Sequence, residues 1–112
     1  MAKLTAFLIE RDGAPDLQFN GEVIGCGFAH AHQAGGITRS TMARLFRTEA
    51  DNWIAEIVDS EEFAGMRNTL RSAASVSDTA NGLIEFLGNG RAAKALYASV
   101  GSILPRPIVF VE

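Results

Sequence analysis

Cysteine is almost missing from this chain. Cys26 stands alone, so no disulfide can form within the chain and the fold owes nothing to oxidation, as expected in a reducing compartment. Histidine is nearly as rare, with only His30 and His32. A metal centre could draw on those two imidazoles and one thiol before it had to turn to carboxylates. Lysine is scarce too, at two residues against eight arginines. Arginine tolerates partial burial and forks onto carboxylates, so the bias suits ion-pair or interface positions, although GC-rich codon usage produces the same excess. No apolar run approaches the roughly 20 residues that cross a bilayer. The run at residues 4–9 follows Lys3 and is broken by Glu10, Arg11 and Asp12, too short for a signal-peptide core. The expectation is a cytoplasmic chain with no membrane partner.

What is present is globular. Of 112 residues, 47% are hydrophobic and 21% charged, well clear of the disordered class. A chain of this length buries roughly 60–70% of its unfolded surface, so residues 1–112 read as a single globular domain without a metal or disulfide staple. The net charge of −3 gives no mean attraction to nucleic acid.

Residues 3–10, KLTAFLIE, read as a first strand whose crowded apolar positions predict burial on both faces. RDGAPD ends it in a turn. In LQFNGEVIGCGFAHAH, Asn20-Gly21 is a strong hairpin signal, and a bulged continuous strand is the competing reading. QAGGITRS reads as a loop. Two β-rich runs then flank Glu49-Ala50-Asp51-Asn52, a four-residue hairpin loop that sets Thr48 opposite Trp53 and Arg44 opposite Ile57. That register puts Met42, Phe46, Trp53 and Ile57 on one face and Ala43, Leu45, Ile54 and Val58 on the other, with Arg47 diagonal to Glu56. Residues 66–74 fit a strand better than a helix. Ser75-x-x-Asp78 resembles a capping box opening a helix with a stripe of Val76, Ala80, Leu83, Ile84 and Leu87. Gly88-Asn89-Gly90 stops it, a second helix follows over residues 91–100 with Gly101 as its stop, and IVFV at 108–111 closes as a strand. The fold expected is α+β: an antiparallel sheet of four to six strands with two C-terminal helices packed on one face.

The stretch CGFAHAH, residues 26–32, gathers the sole cysteine and both histidines. On a strand all three side chains share a face. The His30 and His32 Cα atoms then lie about 6.6 Å apart, near enough to share an ion, whereas Cys26 lies about 13 Å from His30. A metal site would need a distant carboxylate such as Glu22 or Glu56, and a thiol–imidazole pair is kept apart. The expectation is a strand end in which Phe28 turns inward, the imidazoles meet solvent, and Cys26 is a buried small apolar residue. Gly25-Cys26-Gly27 fails the dinucleotide fingerprint, because His30 stands at the third glycine and no helix follows. Neither a phosphate-binding loop motif nor a nucleophile elbow occurs.

Without a complete catalytic constellation or any cofactor motif, the reading is a small non-catalytic regulatory or protein-interaction module with no cofactor. It would be a homodimer, or an inhibitor of a partner protein in the manner of phage or plasmid proteins. Its binding surface would be the second sheet face or the set Arg39, Arg44, Arg47, Trp53, Arg67 and Arg71, where nearby acids favour pairing within the chain. Two alternatives belong to other classes. One is a metal-dependent or acid–base enzyme built on His30 and His32. The other is a nucleic-acid binder using the helical hairpin, through Arg91 and Lys94, or the arginine cluster, against which the few cations and acidic balance weigh.

Overall fold

The computed structural model describes residues 4–109 and residue 111. Five strands, β1 (Thr5–Ile9), β2 (Leu17–Gln33), β3 (Ile37–Thr48), β4 (Trp53–Phe63) and β5 (Met66–Ser77), precede two helices, α1 (Ala80–Leu87) and α2 (Arg91–Val100). Every strand pairs antiparallel with its neighbour in sequence, in the order β1-β2-β3-β4-β5. The architecture is thus a five-stranded antiparallel meander with two helices, within the strand count expected.

The edges of the sheet are drawn together. The Asp12 N–H donates to the Ser72 carbonyl at 2.8 Å, the Ser72 N–H to Asp12 Oδ2 at 2.9 Å, and the Ser72 hydroxyl to the Glu10 carbonyl at 2.6 Å. This clasp between the end of β1 and the middle of β5 curls the sheet almost into a barrel. Inside the curl, Phe7, Phe19 and Phe46 meet with ring centroids 5.0–5.4 Å apart, beside Ile9, Ile54 and Ala74. Only one face of β1 takes part. Ala6 and Leu8 are exposed, Leu8 at 65%, so the expected burial on both faces is corrected. β1 is a short edge strand, and among the described residues nothing covers its outer side. Lys3 lies outside the described residues.

A second core joins Ala43, Leu45, Ala55 and Ile57 of the sheet to Leu83, Leu87, Ala92, Ala93, Leu96, Tyr97 and Val100 of the helices. β2 meets α2 through glycine. A Cβ on Gly27 would run into the Ala92 carbonyl oxygen and the Leu96 nitrogen, and one on Gly25 into Val100. Only bare backbone lets the helix sit so close.

Asn20-Gly21 makes no hairpin. β2 runs straight through it, and the glycine is needed because a Cβ there would strike the Arg47 carbonyl. The alternative, a bulged continuous strand, holds: pairing with β3 shifts between Val23 and Gly25. Of QAGGITRS only Ala34–Gly36 turns, and Ile37 already begins β3.

The β3–β4 loop lies where expected, but the register is displaced by one residue. Thr48 pairs with Asn52, whose carbonyl accepts the Thr48 N–H at 2.8 Å and whose N–H reaches Thr48 Oγ1 at 3.0 Å, while Asp51 takes a φ of 64°. Three residues span the turn instead of four. Arg47 therefore faces Trp53 and Arg44 faces Glu56, and one residue of slip exchanges the faces of an entire strand. Phe46 and Met42 share a face with Ile54 and Val58, and Leu45 and Ala43 share one with Ala55 and Ile57.

Residues 66–74 are strand, as expected, but Ser75 starts no helix. β5 continues to Ser77, with Val76 half-exposed opposite Ile54. Thr79 is the true cap, its Oγ1 accepting the Gly82 N–H at 3.1 Å. The end of α1 at Gly88 and both bounds of α2 agree with the expectation. Ile108, Val109 and Val111 form no strand and are exposed, so the closing strand is corrected there; Phe110 lies outside the described residues.

Candidate functional site

The bulge decides which side chains of β2 face where. Before it, odd-numbered residues such as Val23 share the face of Phe46; after it, Cys26, Phe28, His30 and His32 do, opposite Arg44, Met42, Ser40 and Thr38. The three chemically active residues of CGFAHAH thus stand on one face, along an extended backbone. Cys26 is exposed, not buried, and Phe28 is 53% exposed, not inward. The reason is local: β1 reaches β2 only from Leu17 to Gly21. Among the described residues β2 has no strand partner on that side beyond Gly21, and its inward positions toward the helices are held by Gly27 and Ala29.

Each imidazole is fixed by a hydroxyl across the strand pair. His30 Nδ1 shares a hydrogen bond with Ser40 Oγ at 2.8 Å, and His32 Nδ1 one with Thr38 Oγ1 at 3.0 Å. The rings of Phe28 and His30 are parallel within 2° at 6.4 Å. Both histidines are exposed, as expected. Among the described residues no three of His, Cys, Asp and Glu come together closely enough to hold an ion. Glu22 pairs opposite Arg47, on the other face from the histidines, and Glu56 is already engaged.

That engagement is the strongest polar feature of the sheet. Glu56 is 4% exposed, and both Nε and Nη2 of Arg44 lie 2.6 Å from its Oε1. The guanidinium stacks 4.9 Å above the Phe46 ring. The pair separates the enclosed phenylalanine cluster from the open, histidine-bearing half of the same face. A buried carboxylate demands such a partner.

The remaining arginines divide. Arg47 sits at the hairpin end, paired with Asp51 at 3.0 Å and lying 5.4 Å over the ring of Trp53, which packs against the helix-bearing core. Arg67 shares the Arg44 face and donates to Ser60 Oγ at 3.3 Å. Arg39 and Arg71 stand on the opposite face, 3.9 Å from Glu61 and 3.2 Å from Asp59 respectively. There they line a cavity of about 380 Å³ together with Arg91 at the start of α2. That meeting was not legible in the sequence, because Arg91 is distant in the chain from both strands.

No helix among the described residues is long and apolar enough to cross a membrane. The chain matches no protein-family model, no curated protein and no solved structure.

Proposed function

We propose that this chain is a non-catalytic interaction module that works as a homodimer. In this reading α1 and α2 cover one face of the sheet, and the open half of the other face docks on a second copy. The observation that carries it is the exposed apolar surface around Phe28, flanked by Val23 at 43% exposure and the half-buried Met42 and Val58. An exposed aromatic side chain held rigidly on a strand is the kind of residue that anchors interfaces.

Charge favours a second copy as the occupant. Arg44 and Glu56 neutralise each other, Arg67 stands opposite Glu62, and the histidines are tied to hydroxyls. Two such faces meet without like-charge repulsion, and a twofold axis lets each Phe28 contact its counterpart's surroundings. The broad side of the molecule measures 46 by 44 Å, room enough for the roughly 800 Å² per partner of a standard interface. The unpaired, exposed Cys26 on this face suits a reducing, cytoplasmic setting.

Sedimentation equilibrium under reducing conditions tests the proposal. The wild-type chain is expected to pass from monomer to dimer between about 10 µM and about 1 mM, the range of weak to moderate affinity. Phe28→Asp should remain monomeric with an unchanged far-ultraviolet spectrum. A wild-type chain that is monomeric at the highest concentration would refute the homodimer.

A further inference from the structure

The cavity at the start of α2 opens on the opposite face of the sheet from the proposed docking surface and shares with it only the edge residue His30. Its volume of about 380 Å³ falls in the range of small-molecule sites. Its walls have two characters. Ala29, Ala43, Ile57 and Ala93 give an apolar floor, and Arg39, Arg71 and Arg91 bring three cations from three separate elements. One carboxylate, Asp59, also lines it, but that group already accepts the Thr41 hydroxyl at 2.7 Å and faces Arg71 Nε at 3.2 Å. Arg91 has no acidic partner among the described residues, and Arg39 stands at the limit of contact with Glu61. In a chain of net charge −3, the lining runs the opposite way.

The backbone adds to this surplus. The first bond inside α2 runs from the Lys94 N–H to the Gly90 carbonyl at 2.9 Å. The N–H groups of Arg91, Ala92 and Ala93 therefore lack acceptors within the helix. No side chain caps this end, and no acid occupies its first turn. A Cβ on the capping Gly90 would meet nothing within 4 Å, so the approach is open.

We propose that this cavity binds a small phosphate monoester carried on an apolar body. The phosphate lies against Arg91, Arg39 and the first turn of α2, and the body lies on the alanine floor. Two guanidinium groups without a close acid and a helix start suit a doubly charged group, where one carboxylate would occupy a single arginine fork.

Amide chemical shifts followed during titration with phenyl phosphate, inorganic phosphate and benzoate test the assignment. Phenyl phosphate should move the amides of residues 29–31 and 90–94 saturably and bind tighter than either comparison anion. Arg91→Gln and Arg39→Gln should each weaken it by about tenfold, the value of one charge-assisted contact, without loss of spectral dispersion. Gly90→Asp supplies a covalent carboxylate cap at the same place, so it should abolish binding while raising the melting temperature. Absence of saturable shifts at these residues would overturn the proposal. Benzoate binding as tightly as phenyl phosphate would remove the phosphate assignment. Inorganic phosphate binding as tightly would remove the apolar body. Binding unchanged in Gly90→Asp would place the anion elsewhere.

Discussion

Gly27→Ala adds a single methyl group where α2 rests on β2, and its effect can be worked from the geometry. The new Cβ would collide with the Ala92 carbonyl oxygen and the Leu96 nitrogen and lie 2.9 Å from the Ala95 carbonyl carbon. Carbon atoms settle at about 3.5–4.0 Å, so the helix must retreat by roughly 1 Å. Such a gap forfeits about a quarter to a half of the dispersion attraction along the contact. Ala92, Ala93, Leu96, Tyr97 and Val100 would all loosen together, since they are the buried face of α2. Overpacking costs about 1–3 kcal/mol, and the upper end applies because helix backbone cannot rotate aside. Against this, replacing a strand-interior glycine by alanine is worth about 0.5–1 kcal/mol in backbone entropy. The balance is a loss of about 2 kcal/mol, or a melting temperature lower by roughly 10 °C. Thermal melts by circular dichroism, with Trp53 emission as a second probe, read it directly. Gly25→Ala provides the comparison, because the atoms it meets first, Val100 Cγ1 and Ser99 Oγ, belong to side chains that can turn. Its penalty should be the smaller. A Gly27→Ala protein as stable as wild type, or more so, would show that α2 does not seat on bare backbone.

Other outcomes follow from the same structure. Arg44→Met strands the Glu56 carboxylate in the sheet and should cost about 3 kcal/mol in urea denaturation; Arg44→Met/Glu56→Leu should recover most of it, and a single variant as stable as wild type would refute the pairing. Tyr97 donates to the Gly88 carbonyl at 2.6 Å, and burial raises its phenol above the ordinary value of 10.0. The folded chain then holds a proton that the unfolded chain releases, so stability is complete below pH 10 and falls as pH rises from there through the folded value. Tyr97→Phe should lose about 1 kcal/mol at neutral pH with the lost hydrogen bond, yet show a flatter alkaline decline; parallel declines would refute the assignment.

Local chemistry was readable where neighbours in sequence decide the outcome. The bounds of α2, the glycine stop of α1 and the position of the β3–β4 turn all rest on residues within a few places of each other. Contacts made by distant residues were not readable. Asn20-Gly21 has the composition of a turn, but its glycine answers to the Arg47 carbonyl on the next strand. The β3–β4 register depended on a hydrogen bond between Thr48 and Asn52 that shortens the loop by one residue. Ser75 and Thr79 both look like caps, and pairing of β5 with β4 carries the strand past the first. The same limit applies to the candidate sites. Arginine was legible as an ion-pairing residue, but register placed Arg44 against Glu56, and tertiary packing brought Arg91 to Arg39 and Arg71.

The clasp between Asp12 and Ser72 sets an order of events for the chain. Each hairpin of the meander can zip onto the one before it, but this junction waits until partners sixty positions apart have both emerged and curled together. It is thus the last seam to close and, joined by only a few bonds, the first to part. Amide exchange at Ser72 should outpace that of Leu45 and Ala55, and equal protection at all three would refute this order.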